Sequence, residues 1–208
     1  MKISDIEILS ETWLHRSFLK LKHYRLRHRL FSGDWSDEVE RELVARPSVS
    51  AVLPYDPILD QVVLIEQFRM GPLNQQQNPW LMEVVAGVAE GDESLEELAK
   101  REMLEEAGLA VISLKQMHHY WVSPGMCDEQ VALFCAQVDA RNAGGIHGLP
   151  EEHEDIKVHV MAASAAFELA AKGHLNNAMS LIAIQWLQLN HADLRKEWLG
   201  EGAYAALA

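Results

Sequence analysis

The sequence predicts an α+β fold built in layers. Strand-like text precedes, separates and follows one strongly helical stretch, and two further helical stretches close the chain. Apolar residues recur in strand-length runs up to residue 86 and again from residue 111. A doubly wound sheet would need strands and helices to alternate throughout, and they do not.

Residues 5–31 open the chain with long, basic, β-rich text. Leu19 and Leu21 alternate with Lys20 and Lys22, and Tyr24-Arg25-Leu26-Arg27-His28-Arg29 follows. That pattern is an extended strand with one solvated or partner-facing side. Ser32-Gly33-Asp34 is a turn signal. Strands are expected at 48–54, 61–68 and 80–86, the first two flanking Tyr55-Asp56-Pro57 at hairpin spacing. A helix is expected from Ser94 to Ala107, with Asp92 or Glu93 near its start and Gly108 as its C-terminal stop. Strands resume at about 111–122, 130–139 and 156–161, and helices follow at 163–171 and 177–192. No repeat or low-complexity linker divides the chain.

Composition mainly excludes. Apolar residues at 49 % suffice for a core, and no apolar run approaches the ~18–20 residues that a membrane span needs. Met1–Trp13 lacks a secretory apolar region, and Cys127 and Cys135 are too few for a disulfide framework, so a reducing cytoplasm is expected. The net charge of −13 argues against binding nucleic acid, which is gripped by clustered Lys and Arg. An anionic substrate would need positive charge from elsewhere, such as a divalent metal held by some of these acids. The plainer reading of the same acids is a soluble surface.

The helix is more specific. At 100° per residue, Leu95, Leu98 and Ala99 form an apolar stripe, and the next turn of that stripe is Glu102, Glu105 and Glu106. The inward face thus changes from aliphatic to acidic within two turns. Glu102 and Glu106 are a like-charge i,i+4 pair, unfavourable unless a cation lies between them. A helix emerging into solvent would also explain hydrated acids. Against that, Ala86 and Gly87 end a buried-looking strand just before the helix, which brings backbone carbonyls near the carboxylates, and Arg101 is close enough to hold one in place. Hard oxygen donors of this kind suit Mg²⁺ or Mn²⁺ rather than zinc.

Gly87, Glu93, Arg101-Glu102, Met103, Glu105-Glu106, Gly108 and Leu109 match the Nudix box, Gly-x5-Glu-x7-Arg-Glu-U-x-Glu-Glu-x-Gly-U, at every specified position. A full match by chance is of order ~10⁻⁷. Pro124, in Ser123-Pro124-Gly125, follows the box at the spacing of the ADP-ribose pyrophosphatase subfamily. Further text resembles bacterial members of that subfamily, including Tyr24–Phe31, Val63–Gln67, Gly145-Ile146-His147-Gly148-Leu149, Glu154-Asp155-Ile156 and Ala183–Leu189.

The resemblance implies a Nudix fold, a mixed β-sheet core sandwiched between helices. An N-terminal β-region, residues 1–45, would be exchanged in a homodimer, and residues 46–208 would form the hydrolase domain. It implies Mg²⁺ (Mn²⁺ as the alternative), about two or three ions per site, held by the Ala86 carbonyl, Glu102, Glu106 and Glu154. Glu152 would be the general base, with Arg101, Glu105 and Glu106 completing the catalytic group. Substrate contacts would come from the partner's Phe18 and the partner's Leu19, and from Arg41, Glu42, Arg46, Arg69, Val88, Ser123, Pro124, Gly125 and Glu129. The implied substrate is a nucleoside diphosphate sugar, ADP-ribose foremost, cleaved to AMP and ribose 5-phosphate.

Two departures touch substrate recognition: Met126-Cys127-Asp128 replaces small hydroxyl or glycine residues, and Leu19 stands where a second aromatic is common. Without the resemblance, Glu151–Asp155 would read as a solvated acidic turn and Phe18 as a core or interface residue. The ten histidines show no zinc spacing, and Cys127 has no evident base partner. The rival readings are hydrolysis of another nucleoside diphosphate sugar, such as GDP-mannose, and a non-catalytic ADP-ribose sensor. Against the sensor stand the intact box and the acidic net charge.

Overall fold

The computed structural model describes residues 1–89 and 91–207. By contact the chain forms two compact units, Met1–Ser48 with Tyr120–Val131, and Val49–His119 with Ala132–Ala208.

The first unit holds an antiparallel sheet of β1 (Ile6–Arg16), β2 (Lys20–His28) and β3 (Val39–Ala45), in that order. The single extended stretch expected over 5–31 is therefore a hairpin, closed where the Ser17 N–H donates to the Leu19 carbonyl at 3.0 Å. Its basic text is matched across the sheet. Lys22 pairs with Glu11 at 2.7 Å, Arg27 with Glu7 at 2.6 Å, and Arg25 with Glu38. Those cations answer local acids and do not form a free basic patch. Residues 120–131 join this unit through the C-terminal end of β3: the Val44 N–H donates to the Met126 carbonyl at 2.8 Å and the Asp128 N–H to the Val44 carbonyl at 3.2 Å.

The second unit is built on β4 (Val49–Asp56), β5 (Gln61–Phe68), β6 (Trp80–Glu83), β7 (Val85–Val88), most of β8 (Ser113–Trp121) and of β9 (Gln130–Gln137), β10 (Gly145–His147) and β11 (Ile156–Ala162). The sheet order is β10-β11-β5-β4-β9-β8, with β6 on β5 and β7 on β4. β4 and β5 pair as the expected hairpin, Tyr55 opposite Val62. Every residue of β4 is buried, which requires cover on both faces. α1 (Leu95–Ala107) supplies one cover: Ala99, Met103 and Ala107 pack with Val52, Val63, Ile65 and Val85. The alternating positions Leu53 and Leu64, also fully buried, lie outside that cluster, as a two-residue period requires. α3 (Ala178–Leu199) contacts β4 and buries Ala183, Ile184, Leu187 and Leu194, while α2 (Ala163–Ala171) and α4 (Glu201–Leu207) complete the helices.

Several expected boundaries move for tertiary reasons. The strand expected at 80–86 is two strands. At Val84 the chain leaves β5 for β4, and the Val84 N–H, unpaired in either ladder, donates to Ser180 Oγ at 3.0 Å. β7 continues to Val88, past the stop expected at Ala86–Gly87. α3 runs to Leu199 rather than 192, anchored by buried Leu194 and by Arg195 Nε, which donates to the Pro57 carbonyl at 2.8 Å. No helix is long and apolar enough to cross a membrane among the described residues.

Candidate active site

α1 begins at Ser94, whose Oγ accepts the Glu97 N–H at 3.2 Å while Glu97 reaches back to the Ser94 N–H at 3.0 Å. Glu93, just outside the helix, pairs with Arg101 instead of capping. Arg101 donates to both oxygens of Glu93 at 3.1 and 3.2 Å, to Glu105 at 2.8 Å, and lies 3.0 Å from Glu102. Three acids around it hold the guanidinium above its usual range, so it stays charged and fixes their geometry.

Two of the three stripe acids turn inward. Glu102 and Glu106 are 9 % and 2 % exposed, on the same face as buried Leu98, Ala99 and Met103, whereas Glu105 is only half-buried, against Arg101. Glu106 accepts the Ala86 N–H at 3.0 Å, which seats the box helix on β7. Gly87 makes this approach possible: a Cβ there would overlap the Glu102 carboxyl group. Glycine at this position is a matter of space.

Burial pushes the Glu102 carboxyl up to about 7; Arg101 opposes this, and the charges of Glu105, Glu154 and Glu152 add to it. Burial pushes Glu106 up to about 8, opposed by the Ala86 N–H and reinforced by Glu102 and Glu154. The distal turn therefore faces the box helix. It is tied there by the Gly148 N–H, which donates to the Glu105 carbonyl at 3.2 Å, and by His147, whose Cε1 would lie 2.6 Å from a Cβ at left-handed Gly108. Glu152 is exposed on a short 3₁₀ turn, Pro150–Glu152, and Glu154 is half-buried with its Oε2 on the Leu149 N–H at 3.1 Å. Glu106 and Glu154 thus each hold a backbone donor, and among the described residues no three His, Cys, Asp or Glu side chains close into a metal cage. The donor set still fits a hard divalent cation: carboxylates of like charge, of which Glu102 and Glu106 are desolvated by burial and so favour the protonated form.

Arg69 lines a cavity of about 390 Å³ with Gln67, Phe68, Trp80 and residues 152–155. Val88 ends β7, opposite Val49 and 38 % exposed. In the N-terminal unit, Phe18, Arg46 and Glu129 form one cluster. The Arg46 guanidinium lies 5.6 Å from the centre of the Phe18 ring, and its Nε donates to Glu129 at 3.1 Å. Ser123, Pro124 and Gly125 belong to the same loop, which turns through Ser123 O accepting the Met126 and Cys127 N–H groups. The unusual Asp128 has a job: its Oδ1 accepts the Arg46 N–H at 2.7 Å. Leu19 is 52 % exposed next to Phe18. Arg41 and Glu42 lie on β3 opposite Tyr24 and His23, exposed and outside this cluster's contacts.

Sequence reasoning passed over Glu83. It is 3 % exposed and holds Arg69 Nε at 2.9 Å and Asn177 Nδ2 at 2.7 Å. The signal was present, since an acid interrupts the apolar run Trp80-Leu81-Met82-Glu83-Val84-Val85.

A helix that presents buried carboxylates to a glycine-bearing strand, with an arginine locking its acids, defines a Nudix-type centre, and the NUDIX domain model matches residues 44–199. The chain belongs to the NUDIX domain family. It is 46 % identical to an ADP-ribose pyrophosphatase of Escherichia coli (strain K12), over 94 % of this chain and 93 % of that protein. It is 34 % identical to a GDP-mannose pyrophosphatase of Cronobacter sakazakii, over 72 % of this chain and 78 % of that one. A solved structure described as an ADP compounds hydrolase shares the fold at a TM-score of 0.69 and 19 % identity, covering 98 % of this chain and 99 % of its own.

Proposed function

We propose that the protein hydrolyses the diphosphate of ADP-ribose to AMP and ribose 5-phosphate, with Mg²⁺ as its working ion. The observation that carries this reading is the buried pair Glu102 and Glu106, facing Gly87 and the acidic turn at 152–154. Glu102, Glu106, Glu154 and the Ala86 carbonyl would hold about two or three ions, which supply positive charge at the diphosphate and Lewis acidity. Arg101 orients Glu102 and Glu105 through its guanidinium donors. Exposed Glu152 takes the proton of the attacking water as the oxygen bonds to phosphorus. The bridging P–O bond breaks and its electron pair leaves with the departing phosphate.

Substrate preference follows the relatives: ADP-ribose pyrophosphatases match nearly the whole chain, and GDP-mannose pyrophosphatases about three-quarters of it at lower identity. The N-terminal unit supports a homodimer, because β1 exposes Ile6, Ile8, Leu9, Trp13 and Leu14 in a sheet of three strands. Phe18, 86 % exposed, would reach the partner's substrate. Unpaired Cys127 and Cys135 fit a reducing cytoplasm. Incubation with a panel of nucleoside diphosphate sugars and Mg²⁺ tests the reading. AMP and ribose 5-phosphate from ADP-ribose are expected; faster turnover of GDP-mannose would overturn the preference and leave the reaction class intact.

A further inference from the structure

Glu83 is a carboxylate inside an apolar strand, and such a group must be compensated where it sits. Both of its oxygens are occupied. Oε2 accepts from Arg69 Nε at 2.9 Å, and Oε1 accepts from Asn177 Nδ2 at 2.7 Å. Asn177 is also the N-cap of α3, its Oδ1 accepting the Ser180 N–H at 3.2 Å. Ser180 Oγ in turn accepts the Val84 N–H at 3.0 Å. The start of the longest helix, the break between β6 and β7, and Glu83 are thereby one hydrogen-bonded unit.

Arg69 stands on that unit. Its side chain is 43 % exposed, it lines the cavity shared with Glu152–Asp155, and its positive charge is felt at Glu106. A half-exposed arginine has a flexible stem and several rotamers, so a diphosphate would have to order it on binding. The bond to Glu83 engages Nε and leaves the two terminal amino groups for an anion, in the planar fork that suits phosphate oxygens. Arg101, by contrast, has its donors on Glu93, Glu105 and Glu102.

We propose that Glu83 and Asn177 are positioning residues that hold the Arg69 guanidinium ready for the substrate diphosphate. The proposal rests on the reading of the box carboxylates as the diphosphate site. It differs from a simple tie between β6 and α3, because a tie would act independently of Arg69.

The test is a set of double-mutant cycles read by steady-state kinetics on ADP-ribose with Mg²⁺, with thermal unfolding alongside. Glu83→Gln removes the charge that holds Arg69. Asn177→Ser removes the amide donor yet keeps a good N-cap, so it serves where Glu83→Gln folds poorly. Each should lower kcat/KM by about tenfold to a hundredfold, mainly through KM. In an Arg69→Ala background the same changes should add less than about twofold. Equal losses in both backgrounds, or an Arg69→Ala variant with unchanged kcat/KM, would overturn the proposal. Glu106→Gln, assayed in parallel, separates the two failures. Full activity there overturns the reading of the site and the proposal with it; inactivity there, with a Glu83 effect independent of Arg69, overturns the proposal alone.

Discussion

Replacing Glu106 by Gln should stabilise the metal-free protein, by an amount that grows with pH. On an exposed helix, relieving one i,i+4 repulsion would yield only a few tenths of a kcal/mol. Burial makes the effect larger. In the unfolded chain the Glu106 carboxyl loses its proton near 4.5, whereas in the folded protein it keeps it until about 8. Between those values the folded state binds more protons, so its stability falls as pH rises. From 4.5 to 7, at about 1.4 kcal/mol per pH unit, the loss approaches about 3 kcal/mol; at pH 5 it is under about 1 kcal/mol. Gln does not titrate, and its Oε1 can still accept the Ala86 N–H that Glu106 accepts at 3.0 Å. For a chain of this length each kcal/mol moves the unfolding midpoint by about 2–4 °C, so the variant in EDTA should melt up to about 6–12 °C higher at pH 7 and nearly level with the parent at pH 5. Its hydrolytic activity should be abolished, and added Mg²⁺ should raise the midpoint of the parent alone. Thermal scans at several pH values, with EDTA and with Mg²⁺, read all of this. A variant that melts lower than the parent at pH 7, or by a margin independent of pH, would refute the reasoning.

Glu152→Gln should lower kcat by about 10²–10⁴-fold with the Mg²⁺ requirement unchanged, while Glu154→Gln should raise the Mg²⁺ concentration for half-maximal rate; a Mg²⁺ titration of each variant separates base from ligand. Gly87→Ala places a methyl on the Glu102 carboxyl, so it should cost activity at least tenfold and weaken Mg²⁺-induced stabilisation; retention of both would show that Glu102 need not sit there. Light scattering should give twice the chain mass of 23.5 kDa, and an active monomer would rule out a substrate contact from the partner's Phe18.

The box helix was legible because everything that defines it is local. Its period, its left-handed stop at Gly108 and the acids on its inner stripe lie within a few turns. Even its true cap could have been read, since Ser94 and Glu97 have capping-box spacing, although Asp92 and Glu93 drew attention first. β3 was harder, because Val-Glu-Arg-Glu carries charge where a buried strand would carry aliphatics, and only its pairing with β2 makes it a strand. The grouping of 120–131 with the N-terminal strands was not legible at all. It depends on Val44 meeting Met126, and on Asp128 reaching the Arg46 N–H across 82 positions of sequence.

Glu83 lies between these cases and marks where sequence reading stops. A carboxylate in an apolar strand announces that donors must be near, because an uncompensated buried charge is too unfavourable to persist. It does not announce which donors. Arg69 lies 14 positions before it, and they meet because β6 folds back on β5 with Phe68 opposite Trp80. Asn177 lies 94 positions after it, and they meet because α3 starts where the chain crosses from β5 to β4. The need for partners is thus written in the local pattern, and their identity only in the topology. The same holds for the carboxylates of α1: the stripe foretold that Glu102 and Glu106 would face inward, but the Ala86 N–H and the space at Gly87 come from β7, and the charges of Glu152 and Glu154 from a distant turn, segments that only the folded sheet brings to the helix.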